Sequence, residues 1–499
     1  MALTFLASFP ACGFADLLRT LSTVSTYTFT QRRPEQVNKP RLAQFSPISK
    51  LPAELLVYIF IFALPEPVSA IPASPQSTAH MRFGLRAPWI LAQVCHHWRA
   101  VALSLPRLWS SVGVFTGRSG HTLASLATQI HRATNAPLDV LIAIERPLDP
   151  KPPSGPWFWH ERNTRTNTTP EFDAVLQALV RYCGRWRSVH LYCDVILGRH
   201  PAFDSLSPMP LLTELVFSGE RADYHSVWPC ESFTDMPNLR KVVLGSVQIA
   251  TTGCDTLPWT QLTTYQTAYY DGPSHLSHLS AAPNLVECQI GYHRSDSPQF
   301  YGWNRGVVTL KSLRRLVLTN DAFLTYLLAP ALEELYVHRT ITHLSPFFQN
   351  SGRALTHLTL STYPADGRAL IDLLRHTPVL THLALDLDDS HGAELSRLIS
   401  ALTIRSRADE EPLCRLLVSL AWGDLADTMD ADAFADMVES RWRAPRRVCS
   451  RLQFVAVYGA KPVGRRLREF ESEGMEVVLL NRRRWRLAID SRLYFSKSH

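Results

Sequence analysis

What the chain lacks narrows its function before any motif is read. Its 499 residues include nine cysteines, at 12, 95, 183, 193, 230, 254, 288, 414 and 449, yet no Cys-x-x-Cys pair. Scattered and odd in number, they fit a reducing compartment, cytoplasmic or nuclear, better than a disulfide framework or a zinc site. No run of eighteen or more apolar residues occurs, so no membrane span is expected. Gly-x-x-x-x-Gly-Lys-Ser/Thr, Gly-x-Gly-x-x-Gly and Gly-x-Ser-x-Gly are all missing, so neither a phosphate cradle nor a nucleophile elbow is indicated. His96 and His97 are adjacent, which on a helix points them about 100° apart, a poor chelating geometry. Asp386, Asp388 and Asp389 lack the glycine of a calcium loop. No enzyme, metal or cofactor is expected.

Basic character is also missing from most of the chain. Of 51 Lys+Arg and 44 Asp+Glu, the 440 residues before Arg441 hold 36 and 39, a net of −3; the remainder holds 15 and 5, a net of +10. The runs Arg465-Arg466-Leu467-Arg468 and Arg482-Arg483-Arg484-Trp485-Arg486 read as a solvated basic edge; without a zinc-finger spacing or RNA-recognition motif, nucleic acid is not the expected partner. The opening MALTFLASFPACGFADLLRT has no basic residue before Arg19 and is interrupted by Pro10, so it reads as an arm rather than a signal peptide.

What is present begins with SKLPAELLVYIFIFALPEP. Pro52 and Glu54 open a helix, since proline tolerates the first turn and a carboxylate favours the helix N-terminus. Ten apolar residues follow, Leu55 to Leu64, leaving no polar face, so the helix needs cover on more than one side. Leu91, Val94, Cys95, Trp98, Val101, Ala102 and Leu105 then recur at helical spacing between Pro88 and Pro106, predicting one amphipathic helix. The run Leu-Pro-x-Glu-Leu-Leu-x-x-Ile-Phe, then Val-Cys-x-x-Trp-Arg and Leu-Trp, resembles an F-box, the large fungal F-box group in particular. The resemblance covers about sixty residues. It departs from a compact F-box in the long linker from Pro65 to Ala87. It implies a non-enzymatic adaptor that docks on a Skp-type adaptor and cullin scaffold through Leu51, Pro52, Glu54, Leu55, Ile59, Val94, Cys95 and Trp98.

The rest of the chain repeats Pro-x-Leu-x-x-Leu-x-Leu, as in Pro330-Ala331-Leu332-Glu333-Glu334-Leu335-Tyr336-Val337. Anchors fall at Trp186, Leu212, Leu239, Leu262, Leu285, Leu313, Leu332, Leu355, Leu380, Leu413 and Leu452, at intervals of 26, 27, 23, 23, 28, 19, 23, 25, 33 and 39. Most suit a leucine-rich repeat of roughly 20 to 29 residues, whereas a β-propeller needs about twice that period. Inserts at Asp409–Glu411 and Asp424–Asp436 are expected to stretch the last two intervals. The asparagine that usually forms a ladder after the second strand leucine is mostly absent, so the match is to an irregular repeat. Alternation within Leu-x-Leu turns the leucines inward and the intervening residues outward.

The expected fold is therefore α/β: a short N-terminal helical F-box-like module followed by an irregular leucine-rich-repeat solenoid. The divisions are an arm at 1–45, the module at 46–112, a connecting strand and Pro-rich loop at 113–170, the array at 171–485 and a tail at 486–499. Trp157, Phe158 and Trp159 are expected to pin that Pro-rich loop onto the domain. Outward positions Lys241, Glu287, Arg315, Glu334, Tyr336, His357, His382 and Arg415 are the candidate contacts with a protein target, and their mixed sign argues against a polyanion. His357 and His382 hold equivalent places on adjacent strands about 4.8 Å apart. The alternative is a scaffolding protein in which the helical hairpin only caps the array, since terminal repeats need covering.

Overall fold

The computed structural model describes residues 51–62, 64, 87–115, 122–143, 169–192, 200–206, 208–218, 227–228, 233, 235–245, 248–249, 257–267, 272–291, 306–319, 321–339, 343–362, 367–387, 392–405, 412–423, 431–445, 447–458 and 464–480. Outside them lie the N-terminal arm, most of the Pro65–Ala87 linker, the Trp157-Phe158-Trp159 loop, Asp388, Asp389, Asp409–Glu411 and the arginine run from 482. The chain is mixed α/β and divides into two units, one of residues 1–68 and 72–190, the other of 69–71 and 191–499. The division expected at 170/171 does not coincide with this boundary.

In the first unit, helix α1 (Ala53–Phe62) starts where Leu56 N–H donates to Pro52 O, 3.1 Å. The single helix expected between Pro88 and Pro106 is two: residues 87–94 and α2 (His96–Leu103). Cys95 between them is extended, φ −158°, and its Sγ accepts from Trp98 N–H at 3.4 Å, so a motif cysteine serves as an N-cap. Trp98 packs on Phe60 with ring centroids 5.1 Å apart. After a 3₁₀ turn (Pro106–Trp109), strand β1 (Ser111–Phe115), helix α3 (Leu123–Arg132) and β2 (Leu138–Ala143) form a parallel β-α-β unit in register Ser111↔Asp139. Trp109 fastens the hairpin to it: its Nε1 donates to Ala102 O at 2.8 Å, and the Arg132 guanidinium lies 4.4 Å from its ring centroid. Buried Gln129 donates to Ser111 O at 2.7 Å. Helix α4 (Pro170–Val180), capped by Thr169, and β3 (Trp186–Tyr192) close the unit where the sequence placed its first repeat.

Among the described residues, the main sheet of the second unit has eleven strands in parallel, chain-order sequence: β4 (Glu214–Ser218), β5 (Lys241–Leu244), β6 (Thr264–Thr267), β7 (Glu287–Ile290), β8 (Arg315–Leu318), β9 (Glu334–Arg339), β10 (His357–Thr362), β11 (His382–Leu387), β12 (Ser419–Gly423), β13 (Phe454–Tyr458) and β14 (Glu476–Leu480). Leucine anchors 212, 239, 262, 285, 313, 332, 355, 380 and 452 are all fully buried, each two residues before its strand. One anchor was misplaced: Leu417, also fully buried, stands two residues before β12, while Leu413 belongs to a turn. The intervals flanking it become 37 (380 to 417) and 35 (417 to 452). Residues 431–436 are likewise no insert, because they begin helix α9.

Connections change along the unit. Early ones use 3₁₀ turns and two-residue strand pairs, such as Val227–Trp228 with Gln248–Ile249. Helix α5 (Gly272–Ala281) is the exception. Late connections carry α6 (Leu344–Ser351), α7 (Gly367–Arg375), α8 (Gly392–Leu402), α9 (Ala431–Trp442) and α10 (Gly464–Ser472), packed in succession. Gly367 is required there, because a Cβ would collide with the Glu394 carbonyl of α8.

Polar ladders join successive turns. One residue before their anchors, Asn238, Gln261 and Asn284 donate to Pro210 O, Met236 O and Thr260 O, each at 2.7 Å. One residue after theirs, Thr356 and Thr381 hydroxyls donate to Glu333 O and Thr356 O at 3.0 Å. Each such bond is worth about 1 kcal/mol.

Among the buried polar side chains of the second unit, a histidine pair and an arginine sit within the apolar core. Tyr265 replaces an inward leucine and its hydroxyl meets His275 Nδ1 at 2.9 Å and His278 Nδ1 at 3.3 Å. His278 stacks on Trp259, centroids 4.5 Å apart, and burial, helped by neighbouring His275, holds its pKa down to about 3. Farther along, buried Arg441 of α9 donates to Leu402 O and Leu413 O at 2.6 Å and to Cys414 O at 3.2 Å, fixing Cys414 at φ +51°. Burial raises the thiols of Cys288 and Cys414 to about 12 and about 11, so both stay protonated core groups.

Candidate functional site

Two surfaces answer to the sequence expectations. On α1 the apolar run splits into two faces. Leu56 and Phe60 point into the hairpin, while Leu55, Tyr58 and Phe62, spaced i, i+3 and i+7, are 36%, 62% and 82% exposed. Leu51 and Ile59 flank that stripe half-buried, and Pro52 and Glu54 are exposed at its start. Val94 and Leu103 add exposed apolar side chains from the next two helices. Of the eight expected docking residues, Trp98 faces the other way: 3% exposed, it holds the hairpin together. Exposed Cys95 acts through its cap. Tyr58 and Phe62 were missed because family resemblance weights motif positions, whereas exposure depends on which side the hairpin covers.

The second surface is the outward face of the sheet. Its first row is continuous in register: Glu214, Lys241, Thr264, Glu287, Arg315, Glu334, His357, His382, Ser419, Phe454 and Glu476. Six of the eight expected contact residues stand in it. Their charges pair with one another, Lys241 with Glu214 at 2.9 Å and Arg315 with Glu334 at 3.5 Å. His357 and His382 stack with centroids 4.0 Å apart and planes 11° from parallel, closer than the strand spacing. Their Nδ1 atoms lie 2.9 and 2.8 Å from the Thr356 and Thr381 hydroxyls. Each hydroxyl spends its single proton on a carbonyl, so each Nδ1 donates.

Two expectations need correcting. Tyr336 is outward but only 8% exposed, packed in a middle row with Val317, Ala384, Ala421 and Ala456, where small neighbours let the ring lie down. Arg415 is not on a strand; it is exposed in the turn before β12, and Ser419 takes the register place beside His382.

The sequence reading missed a depression at the N-terminal ends of β12, β13 and β14. Val418, Trp442, Ser450, Arg451, Gln453, Gly474 and Glu476 line about 740 Å³. The Arg451 guanidinium lies 3.3 Å from the centroid of the Trp442 ring, and Trp442 Nε1 donates to Glu473 Oε2 at 2.8 Å. Gly474, at φ +99°, has open space where a Cβ would stand. The excess of arginine after position 441 was the available signal. Among the described residues no group of three or more His, Cys, Asp and Glu is placed to hold a metal, and no helix is long and apolar enough to cross a membrane. No family model matches this chain, and no curated protein matches it.

Proposed function

We propose that this chain is a substrate-recognition adaptor of a cullin-based ubiquitin ligase. The hairpin that resembles an F-box docks on a Skp-type adaptor, and the repeat-bearing sheet, read as an irregular leucine-rich-repeat solenoid, holds a protein target. Its contribution is proximity, since tethering raises the target's effective concentration near the enzyme that carries the covalent chemistry. The open stripe Leu55, Tyr58 and Phe62 carries this reading, because an amphipathic helix laying an apolar face into a partner's groove presents anchors at that spacing.

The test is co-purification with the Skp-type adaptor. Tyr58→Asp/Phe62→Asp, both at exposed positions, is expected to lose adaptor capture at least tenfold with its circular dichroism unchanged. A wild-type protein that captures no adaptor sinks the reading.

A second reading, a scaffolding protein whose hairpin caps the array, has its own support in the Trp109 bond that ties α2 to the turn before β1. Removing residues 1–110 separates the two: the cap reading requires an insoluble remainder, the adaptor reading a soluble one.

A further inference from the structure

Among the described residues, β14 is the last strand of its sheet, with β13 on one side and no strand on the other. Glu476 N–H donates to Gln453 O at 2.9 Å, which turns the bonding groups of Glu476, Val478 and Leu480 toward β13. Successive residues of a strand in a parallel ladder bond to opposite sides, so the N–H and C=O of Val477 and Leu479 point to the open edge. Both faces of this strand are apolar as well. Val477 and Leu479 continue the inward places of Val455 and Val457, yet Leu479 is 40% exposed. Val478 and Leu480 continue the outward places of Ala456 and Tyr458 and pack, partly buried, against the middle row.

Strand β1 also has a single strand neighbour among the described residues, but four of its five residues are buried, whereas none of the five in β14 is. Nor does β14 carry the usual devices that blunt an edge: it holds no proline and no lysine, and its register with β13 has no bulge. It is instead bracketed by charges of opposite sign. Exposed Glu471 and Glu476 stand before and at its start, and Arg482-Arg483-Arg484 follow its end in the sequence. A strand that is acidic at its head and followed by cations complements a reversed copy of itself. A two-fold axis supplies that reversal, because it sets the same patch of both copies face to face.

We propose that β14 is a dimerisation edge, pairing antiparallel with β14 of a second copy of this chain. The register that uses every open backbone group sets Val477 opposite Leu479 of the other copy and places Val478 on the axis. The N–H and C=O of Val477 and Leu479 then make four hydrogen bonds between the copies. Val477 and Leu479 form cross-strand pairs that cover the exposed part of Leu479. Each arginine run meets the acidic start of the other strand. The inference goes beyond the adaptor reading and does not depend on it.

The experiment is analytical ultracentrifugation of the full-length protein from about 1 to about 100 µM. One strand pair and its flanks make a small interface, so a reversible monomer–dimer equilibrium is expected. Leu479→Lys charges the edge, and Val477→Pro removes an N–H that β13 does not use. Each is expected to raise the dimer Kd at least tenfold with circular dichroism unchanged. Glu471→Arg/Glu476→Arg is expected to raise it severalfold, and Leu211→Lys, at an exposed apolar position elsewhere, to leave it unchanged. Cysteine substitution reads the register. Residues opposed on the axis have Cα atoms about 4.5 Å apart, within disulfide reach, so Val478→Cys is expected to give a covalent dimer on mild oxidation. Glu476→Cys, about 13 Å from its equivalent, is expected not to. A monomer at every concentration means that something else covers the edge, the chain beyond Leu480 or another protein, and overturns the proposal. So do edge variants that associate like wild type, or a Glu476→Cys that cross-links as readily as Val478→Cys.

Discussion

The two halves of the second unit treat charge in opposite ways. From β4 to β9 the first outward row carries three carboxylates and two cations, with Lys241 paired to Glu214 and Arg315 to Glu334. From β10 to β14 that row turns to stacked histidines, Ser419, Phe454 and Glu476, and the middle row shrinks to alanine on β11 to β13. The same halves differ beneath the sheet. Early intervals hold 3₁₀ turns, brief strands and α5 among the described residues, whereas every interval from Leu332 onward holds a helix, α6 and α7 within only 23 and 25 residues and α8 and α9 within 37 and 35.

Three measurements sharpen or break this contrast. The largest effect belongs to the late half. Arg441→Ala leaves three buried carbonyls without their donor and opens a cavity, so a loss of about 4 kcal/mol is expected in urea unfolding. Near-wild-type stability would remove the guanidinium from the account of how the late helices are held.

The early half is expected to answer to pH instead. His278 is held down to about 3 when folded, against 6.5 unfolded, so the unfolded chain binds the extra proton between those values. The stability it contributes is complete above pH 6.5 and falls by about 1.4 kcal/mol per unit below it, levelling near pH 3. At pH 5 the expected loss is about 2 kcal/mol. A His278→Phe variant, compared by urea unfolding at pH 7 and pH 5, should show a shallower fall. His190 in the first unit, lowered to about 4 by burial, has the same sign and remains in both proteins, so the comparison isolates His278.

The smallest effect concerns the paired row itself. Lys241→Met is expected to cost about 0.5–1 kcal/mol at low salt, the difference shrinking as sodium chloride is raised. A loss of several kcal/mol would mean that the early charges organise the sheet and do not merely solvate it.

The sequence made most of the fold legible because the repeat is written in buried leucines. An anchor two residues before a strand, then Leu-x-Leu, predicts inward and outward places wherever the spacing holds. It failed at Leu413, where a turn carries leucines at similar offsets and only burial singles out Leu417. It failed again at Cys95, since helical spacing continues across a break that a single extended residue introduces. The candidate surfaces were legible in part. Strand register gives the row of charges directly, but whether charges cancel depends on neighbouring strands 19 to 27 residues away. Tyr336 was hidden for a related reason, its burial depending on a row that begins with Val317 and continues through strands distant in sequence.

Arg441 has one more consequence, and it concerns how the chain can vary. Its guanidinium holds the carbonyl of Leu402 on one side of the segment 403–412 and those of Leu413 and Cys414 on the other. The ends of that segment are therefore joined by bonds that its own residues do not supply. Under such a clamp, doubling the segment adds only about 0.6 kcal/mol of closure entropy. Lengthening of that segment is therefore expected to cost the fold little.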